Sequence, residues 1–287
     1  MNNTAGKIDL HMHTTVSDGT DTPEEITAKV KEAGITVFSV TDHDAIKAGK
    51  IIRRSLGEGD PRFVPGVEFS CRDKDGKYHI LGYGFDPEST SLNQLVNRGK
   101  MLRMEKLLDR VGYLHEKFGI DLPEDEIFGL LAKSNPGKPH LANLMVKYGF
   151  AASFREAMDK YLERLPSAAE YITPEEAIVG ILSGGGIPVL AHPVFGSGRE
   201  KLDADEMKRR LIKFTAVGLE GIEAFYSGFP PAVSAWLVSL AEQYNLLVTA
   251  GSDYHGTNKT VALGETGLPA PSEYPEALRR FLDRVGV

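Results

Sequence analysis

Short β-branched runs alternate with amphipathic stretches over most of the chain. Apolar runs at 7–12, 37–41, 62–69, 78–85, 187–191, 221–225 and 246–250 are strand-length and read as strands. Helical periodicity marks 23–33, 174–182, 204–217, 232–244 and 274–285. The first of these helices carries a start signal: Thr22 precedes Pro23, and Glu25 follows at capping-box spacing. Alternation of this kind predicts an α/β fold with mainly parallel strands.

Residues 97–165 break the alternation and read as helices at 98–118, 123–132, 140–148 and 153–161, punctuated by Asn135-Pro136-Gly137-Lys138-Pro139. This stretch holds 12 Lys/Arg against 10 Asp/Glu, a balance of +2, whereas the remainder stands at −9. The expected organisation is therefore a barrel-forming unit from 1–96 and 166–287 interrupted by a helical insertion, 97–165, that closes over the site as a substrate lid. The alternative is a second structural lobe without ligand contact.

Composition narrows the function. A chain of 287 residues with 41% hydrophobic and 25% charged residues is ordinary for a globular protein. It has no apolar run of the about 20 residues that a bilayer demands, and no basic, apolar leader, which reads against membrane insertion and secretion. The single Cys71 cannot form an internal disulfide, in keeping with a cytoplasmic location. A net charge of −7 argues against coating long nucleic acid, which needs basic surface. No obligate protein partner is evident.

Candidate chemistry lies at and just beyond the apolar runs. The opening cluster is Asp9-Leu10-His11-Met12-His13-Thr14, followed by Asp18-Gly19. Then come Thr41-Asp42-His43-Asp44, Gly66-Val67-Glu68, Tyr78-His79, Ala191-His192-Pro193 and Gly251-Ser252-Asp253-Tyr254-His255. Along an extended chain, residues i and i+2 point the same way, so His11 with His13, or Asp253 with His255, can grip one ion together. Imidazole and carboxylate without thiolate suit Zn, Mn or Fe in a hydrolytic centre. Clustered ions lower the pKa of a shared water and neutralise phosphate charge, so hydroxide attack on phosphorus becomes feasible near neutral pH.

These segments resemble the PHP (polymerase and histidinol phosphatase) family of metal-dependent phosphoesterases, over residues 7–96 and 166–264 and in the family's motif order. The resemblance implies a distorted (β/α)7 barrel with two or three divalent metal ions. Carried over by position, His11, His13, Glu68 and Asp253 would hold the first ion, and Asp18, His43 and His255 the second. Glu68, His79 and His192 would hold the third, with Glu68 bridging. Asp253 and His192 are the catalytic candidates, Asp253 as ligand or proton relay. Asp9, Asp42 and Asp44 have no liganding role in the family and are expected to orient neighbouring imidazoles.

The family branch with a helical insertion, which includes nucleotide phosphatases and a 5′-3′ exoribonuclease, has a Gly-Arg-Pro-His element that contacts substrate. Here Lys138 replaces that arginine before Pro139 and His140, supplying a point charge in place of a two-pronged contact. The arginine that follows Ala-His-Pro in the family has its nearest counterpart in Arg199. Lys138, His140 and Arg199 are thus the substrate-binding candidates. The expected activity is hydrolysis of a small phosphorylated metabolite, foremost a nucleotide: a nucleoside 3′,5′-bisphosphate, an AMP-like monophosphate or a cyclic phosphate. The alternatives are a 5′-3′ exoribonuclease on short RNA and, in another class, a non-catalytic metal-binding interaction module.

Overall fold

The computed structural model describes residues 6–132, 136–162, 170–195 and 202–287. Its strands form two sheets. β1 (Lys7–Asp9), β2 (Ile35–Phe38) and β3 (Arg62–Phe63) run parallel in that order. The second sheet follows the order β4 (Gly66–Asp73), β5 (Gly76–Tyr83), β6 (Ile187–Leu190), β7 (Gly221–Tyr226) and β8 (Leu247–Gly251). β5 is antiparallel to both neighbours, and β6 to β8 are parallel. Isolated backbone hydrogen bonds join the sheets at two seams. The Leu10 N–H donates to the Ala250 carbonyl at 2.9 Å, and the Asp44 N–H to the Glu68 carbonyl at 2.8 Å. The strands make a mixed α/β framework whose ladders stop at these seams, and continuous pairing does not close it into a barrel.

Two expectations change here. The run at 62–69 is two strands, because Pro65 has no N–H to continue a ladder, so eight strands are described rather than seven. Strand direction is also less uniform than alternation implies. A tight turn at Lys74-Asp75 folds β4 onto β5, and the Asp73 carboxylate accepts the Asp75 and Gly76 N–H groups at 2.8 and 3.1 Å.

The helices around this framework are α1 (Pro23–Glu32), α2 (Lys47–Ser55), α3 (Thr90–Phe118), α4 (Glu124–Ala132), α5 (Lys138–Lys147), α6 (Phe154–Glu156), α7 (Pro174–Ser183), α8 (Ala204–Thr215), α9 (Pro231–Gln243) and α10 (Glu276–Arg284). A wider π turn continues α6 over 157–162. Thr22 and Glu25 cap α1 reciprocally, as their spacing predicts. α2 is not anticipated by the sequence reading. α3 starts at Thr90, ahead of the expected residue 98, and α5 starts at Lys138 ahead of His140.

The main core fills the space between the second sheet and helices α7 to α10, with Tyr83, Phe214 and Phe281 among its largest members. Leu107, Leu114, Leu130, Leu141 and Met145 form a separate core under α3 to α5, each fully buried side chain contributing roughly 1.5–3 kcal/mol. α3 nevertheless belongs to both regions. A Cβ on Gly99 would come within 2.8 Å of Asp44 Cβ, so glycine lets the helix pass close beside the loop after β2. One turn later Arg103 reaches the Asp44 carboxylate and the Ser70 hydroxyl. No helix among the described residues is long and apolar enough to cross a membrane.

Candidate metal centre

All nine sequence-predicted ligands converge. Two are extended-chain neighbours beyond β1: His11 Nε2 lies 3.4 Å from Glu68 Oε1 and 3.5 Å from Asp253 Oδ1, and His13 Nε2 lies 3.2 Å from Glu68 Oε2 and 3.3 Å from the same Asp253 oxygen. Asp18 Oδ1 faces His13 at 3.6 Å and His255 at 3.4 Å, and its Oδ2 faces His43 at 3.8 Å. Glu68 is the hub. Its two oxygens also meet His43 at 3.0 Å, His79 at 2.8 Å and His192 at 3.4 Å. His79 departs from the strand-end pattern, because β5 runs against its neighbours and meets the site along its length.

Three donor sets lie close enough for ion binding: His13, Asp18, His43 and His255; His11, His13 and Asp253; and His43, Glu68 and His79. His11 Nε2, His13 Nε2 and Glu68 Oε1 are buried without a hydrogen-bond partner. Buried lone pairs left unpaired are costly, and a cation satisfies all three together. The residues therefore fit divalent metal ions.

Electrostatics prepare the same charge distribution. Burial opposes a charge on Glu68, Asp18 and Asp253, yet their neighbours hold all three well below the usual carboxylate range: the imidazoles of His79 and His43 for Glu68, those of His43 and His255 for Asp18, and Lys259 with His11 for Asp253. Burial likewise resists protonation of His11, but Glu223, Glu68 and Asp253 hold its pKa well above the ordinary value. His13 is pushed up to about 9 against burial by Asp253 and Glu68. For His43 and His255 burial wins and the pKa falls. Ionised carboxylates thus draw protons onto His11 and His13, and divalent ions would displace those protons.

Surrounding groups lock the ligands. Asp9 accepts the Ser252 and Gly264 N–H groups at 3.0 and 2.7 Å, and Asp42 accepts the Thr14 N–H at 2.8 Å and the Ser17 hydroxyl at 2.6 Å. The His255 Nδ1–H donates to the Asp253 carbonyl at 2.8 Å, which turns Nε2 toward Asp18. Asp44, His192 and Asp253 have positive φ angles of 47°, 27° and 58°, backbone strain of the kind found at functional sites.

Sequence reading passes over Glu223. Its side chain is fully buried in β7; Oε1 accepts the His11 Nδ1–H at 2.9 Å and Oε2 the His192 backbone N–H at 2.7 Å. A carboxylate can only accept, so it places the His11 proton on Nδ1 and aims Nε2 at the cluster. A Cβ on Gly251 would lie 2.6 Å from Glu223 Oε1 and 2.1 Å from His11 Cβ, so this contact needs glycine there. The available signal was a charged residue inside the apolar run Gly221-Ile222-Glu223-Ala224-Phe225. Glu223→Gln is expected to weaken Mn²⁺ affinity about 10- to 100-fold, the usual effect of losing such a partner. Metal titration of chelator-treated protein measures this, and unchanged affinity would contradict the orienting role.

A cleft of about 450 Å³ opens onto the cluster, lined by Glu68, His79, His192 and Asp253 and by Lys138 and Pro139 of α5. His140 Nδ1 accepts the Gly137 N–H at 3.1 Å and so closes the first turn of α5. Arg199 lies outside the described residues. Tyr226 and Lys259, which the sequence reading did not select, also line the cleft. The Tyr226 hydroxyl donates to Asp253 Oδ2 at 2.9 Å, and Lys259 pairs with the same oxygen.

A family model described as PHP domain matches residues 9–172. A Haemophilus influenzae protein named 5′-3′ exoribonuclease is 29% identical over 90% of this chain and 93% of its own length. An Eggerthella lenta phosphoribosyl 1,2-cyclic phosphate 1,2-diphosphodiesterase is 30% identical over 86% and 94%. A Chromobacterium violaceum 3′,5′-nucleoside bisphosphate phosphatase is 27% identical over 86% and 87%. Among solved structures, a Bifidobacterium adolescentis protein described as a metal-dependent phosphoesterase superposes with a TM-score of 0.83 at 26% identity, covering 98% of this chain and 96% of the other.

Proposed function

The chain belongs to the PHP family of metal-dependent phosphoesterases, and from that premise we propose that its substrate is a small phosphorylated metabolite, foremost a nucleotide. The observation carrying this reading is the cleft itself, which is lined by seven of the nine converging N/O ligands, Glu68 with its unpaired buried oxygen among them, and by cationic side chains, in a space of nucleotide size. We assign His11, His13, Glu68 and Asp253 to a first ion, Asp18, His43 and His255 to a second, and Glu68, His79 and His192 to a third. Bound ions would activate water and neutralise charge on the phosphoryl oxygens.

The chain's own groups do the rest. Tyr226 and Lys259 hold one oxygen of Asp253, leaving the other toward His11, His13 and His255. Burial and the adjacent Asp253 carboxylate raise the Tyr226 pKa, so its hydroxyl stays a donor. We assign Asp253 and His192 catalytic roles, Lys138 a substrate contact, and 97–165 a lid over the α/β framework built from 1–96 and 166–287.

Purified protein with Mn²⁺ tests this against p-nitrophenyl phosphate, AMP, adenosine 3′,5′-bisphosphate, a cyclic phosphate and a 5′-phosphorylated trinucleotide RNA. Release of phosphate from a mononucleotide substrate is the expected outcome, with activity lost on chelation. Faster stepwise degradation of the RNA would favour the exoribonuclease reading, which the Haemophilus influenzae relative supports. Tight metal binding without turnover of any compound would favour an interaction module.

A further inference from the structure

Lys106 is a buried amine in surroundings that disfavour its charge. It stands on α3 between Arg103 and Arg110, spaced so that all three share one helical face, where like charges repel. The residue is only 5% exposed yet lines the cleft, so small molecules reach it. Its Nζ lies 3.6 Å from the Tyr171 ring centroid. The ring face offers no oxygen, and it is shared with the Arg72 guanidinium at 5.7 Å and the Lys77 ammonium at 5.8 Å. Lys106 has no hydrogen bond or ion pair among the described residues.

Most of the groups around it are cationic. Arg103 and Arg110 come from its own helix, Asp44 from the loop after β2, Cys71 and Arg72 from β4, Lys77 from β5 and Tyr171 from the segment before α7. Asp44 is the one carboxylate, and Arg103 already occupies it. Arg110 Nε is buried with no hydrogen-bond partner among the described residues. Burial first, then Arg103 and Arg110, pull the Lys106 pKa down to about 7 against Asp44, so the amine is mostly uncharged above neutral pH. A desolvated lysine beside other cations is an activated nucleophile. The pocket lacks an anion, and an uncharged amine becomes one by adding carbon dioxide.

We propose that Lys106 is a modification site that takes up dissolved carbon dioxide as a carbamate, held by Arg110 and the cations around Tyr171. The Nζ lone pair attacks the carbon of carbon dioxide and forms an N–C bond, while one C=O π pair moves onto oxygen. Nζ then releases a proton to solvent, so a neutral amine becomes a singly charged anion with no oxidation or reduction. The new oxygens give Arg110 Nε an acceptor and give the cluster its missing counter-charge. The charge that an anionic substrate meets on this wall then depends on dissolved carbon dioxide. The site requires neither the metal assignments nor the nucleotide reading above.

The test is carbon-13 NMR of full-length, Zn²⁺-loaded protein equilibrated with ¹³C-labelled carbon dioxide at a fixed partial pressure. The wild type should show a carbamate resonance that the near-isosteric Lys106→Met lacks, the N-terminal amine serving as a control common to both. Its intensity should rise about tenfold from about pH 6 to about pH 8, as the uncharged fraction of an amine with a pKa of about 7 does. Arg110→Gln leaves the amine in place but removes the charge-assisted contact, and should lower occupancy about tenfold. Identical spectra from the wild type and Lys106→Met would overturn the proposal. A second measurement does not depend on how that variant folds. Triethyloxonium converts a carbamate into a stable ethyl carbamate, and proteolysis with mass spectrometry then locates the label in the wild type. Label on the peptide that carries Lys106 supports the site; label confined to the N-terminus or to other lysines removes it.

Discussion

Glu68→Gln is expected to strip most of the metal from the centre and lower kcat/KM by about a thousandfold, the upper range for losing one main electrostatic contributor. The carboxylate is 1% exposed and touches five imidazoles. Oε1 faces His11, His79 and His192, and Oε2 faces His13 and His43. Glutamine keeps its shape but replaces one oxygen with an amino group that donates and does not accept. Whichever way that amide turns, donor hydrogens confront ligands arranged to surround a cation. The α/β core is built from other residues, so the variant should remain folded by circular dichroism. Elemental analysis and Mn²⁺-supported turnover of p-nitrophenyl phosphate provide the measurement. Wild-type metal content with wild-type turnover would remove Glu68 from its bridging position.

What the sequence revealed of this site follows from how the ligands are held. His11 and His13, or Asp253 and His255, lie two residues apart just beyond β1 and β8, so local periodicity shows that they act together. Glu223, Arg103 and Tyr226 act through contacts between distant segments: Glu223 with His11, Arg103 with Asp44 and Ser70, Tyr226 with Asp253. No spacing rule exposes such pairs. Three cations of α3 that line the cleft were hidden differently. Arg103, Lys106 and Arg110 are spaced as on any solvated helix face, and only the docking of α3 beside Asp44, permitted by Gly99, turns that face inward.

The fold divides along similar lines. Parallel strand–helix alternation is a strong periodic signal, and Thr22 with Glu25 marked the start of α1. The β4–β5 hairpin escaped because its apolar runs look alike in either direction; direction is set by the two-residue turn at Lys74-Asp75. α2 escaped because it lies between two closely spaced strands and has no side-chain cap.

Asp253→Asn and His192→Ala are each expected to lower kcat by about a hundredfold or more, for different reasons. Asp253 works through both oxygens. Oδ1 faces His11, His13 and His255, and Oδ2 accepts from Tyr226 and Lys259. Asparagine must turn its amino group either toward the ions or toward Lys259, a donor that needs an acceptor, so one side of the contact fails in every orientation. His192 meets Glu68 Oε1 at 3.4 Å and His79 at 3.2 Å and belongs to the assigned third-ion set alone. Its removal should therefore cost one ion while the others stay, and Glu223 still holds the backbone N–H at that position. Asp253→Asn should weaken the first ion and disturb its neighbours. Metal content per chain, read beside kcat, separates the two cases. If His192→Ala keeps both its full complement of metal and its turnover, the third set is not a metal site.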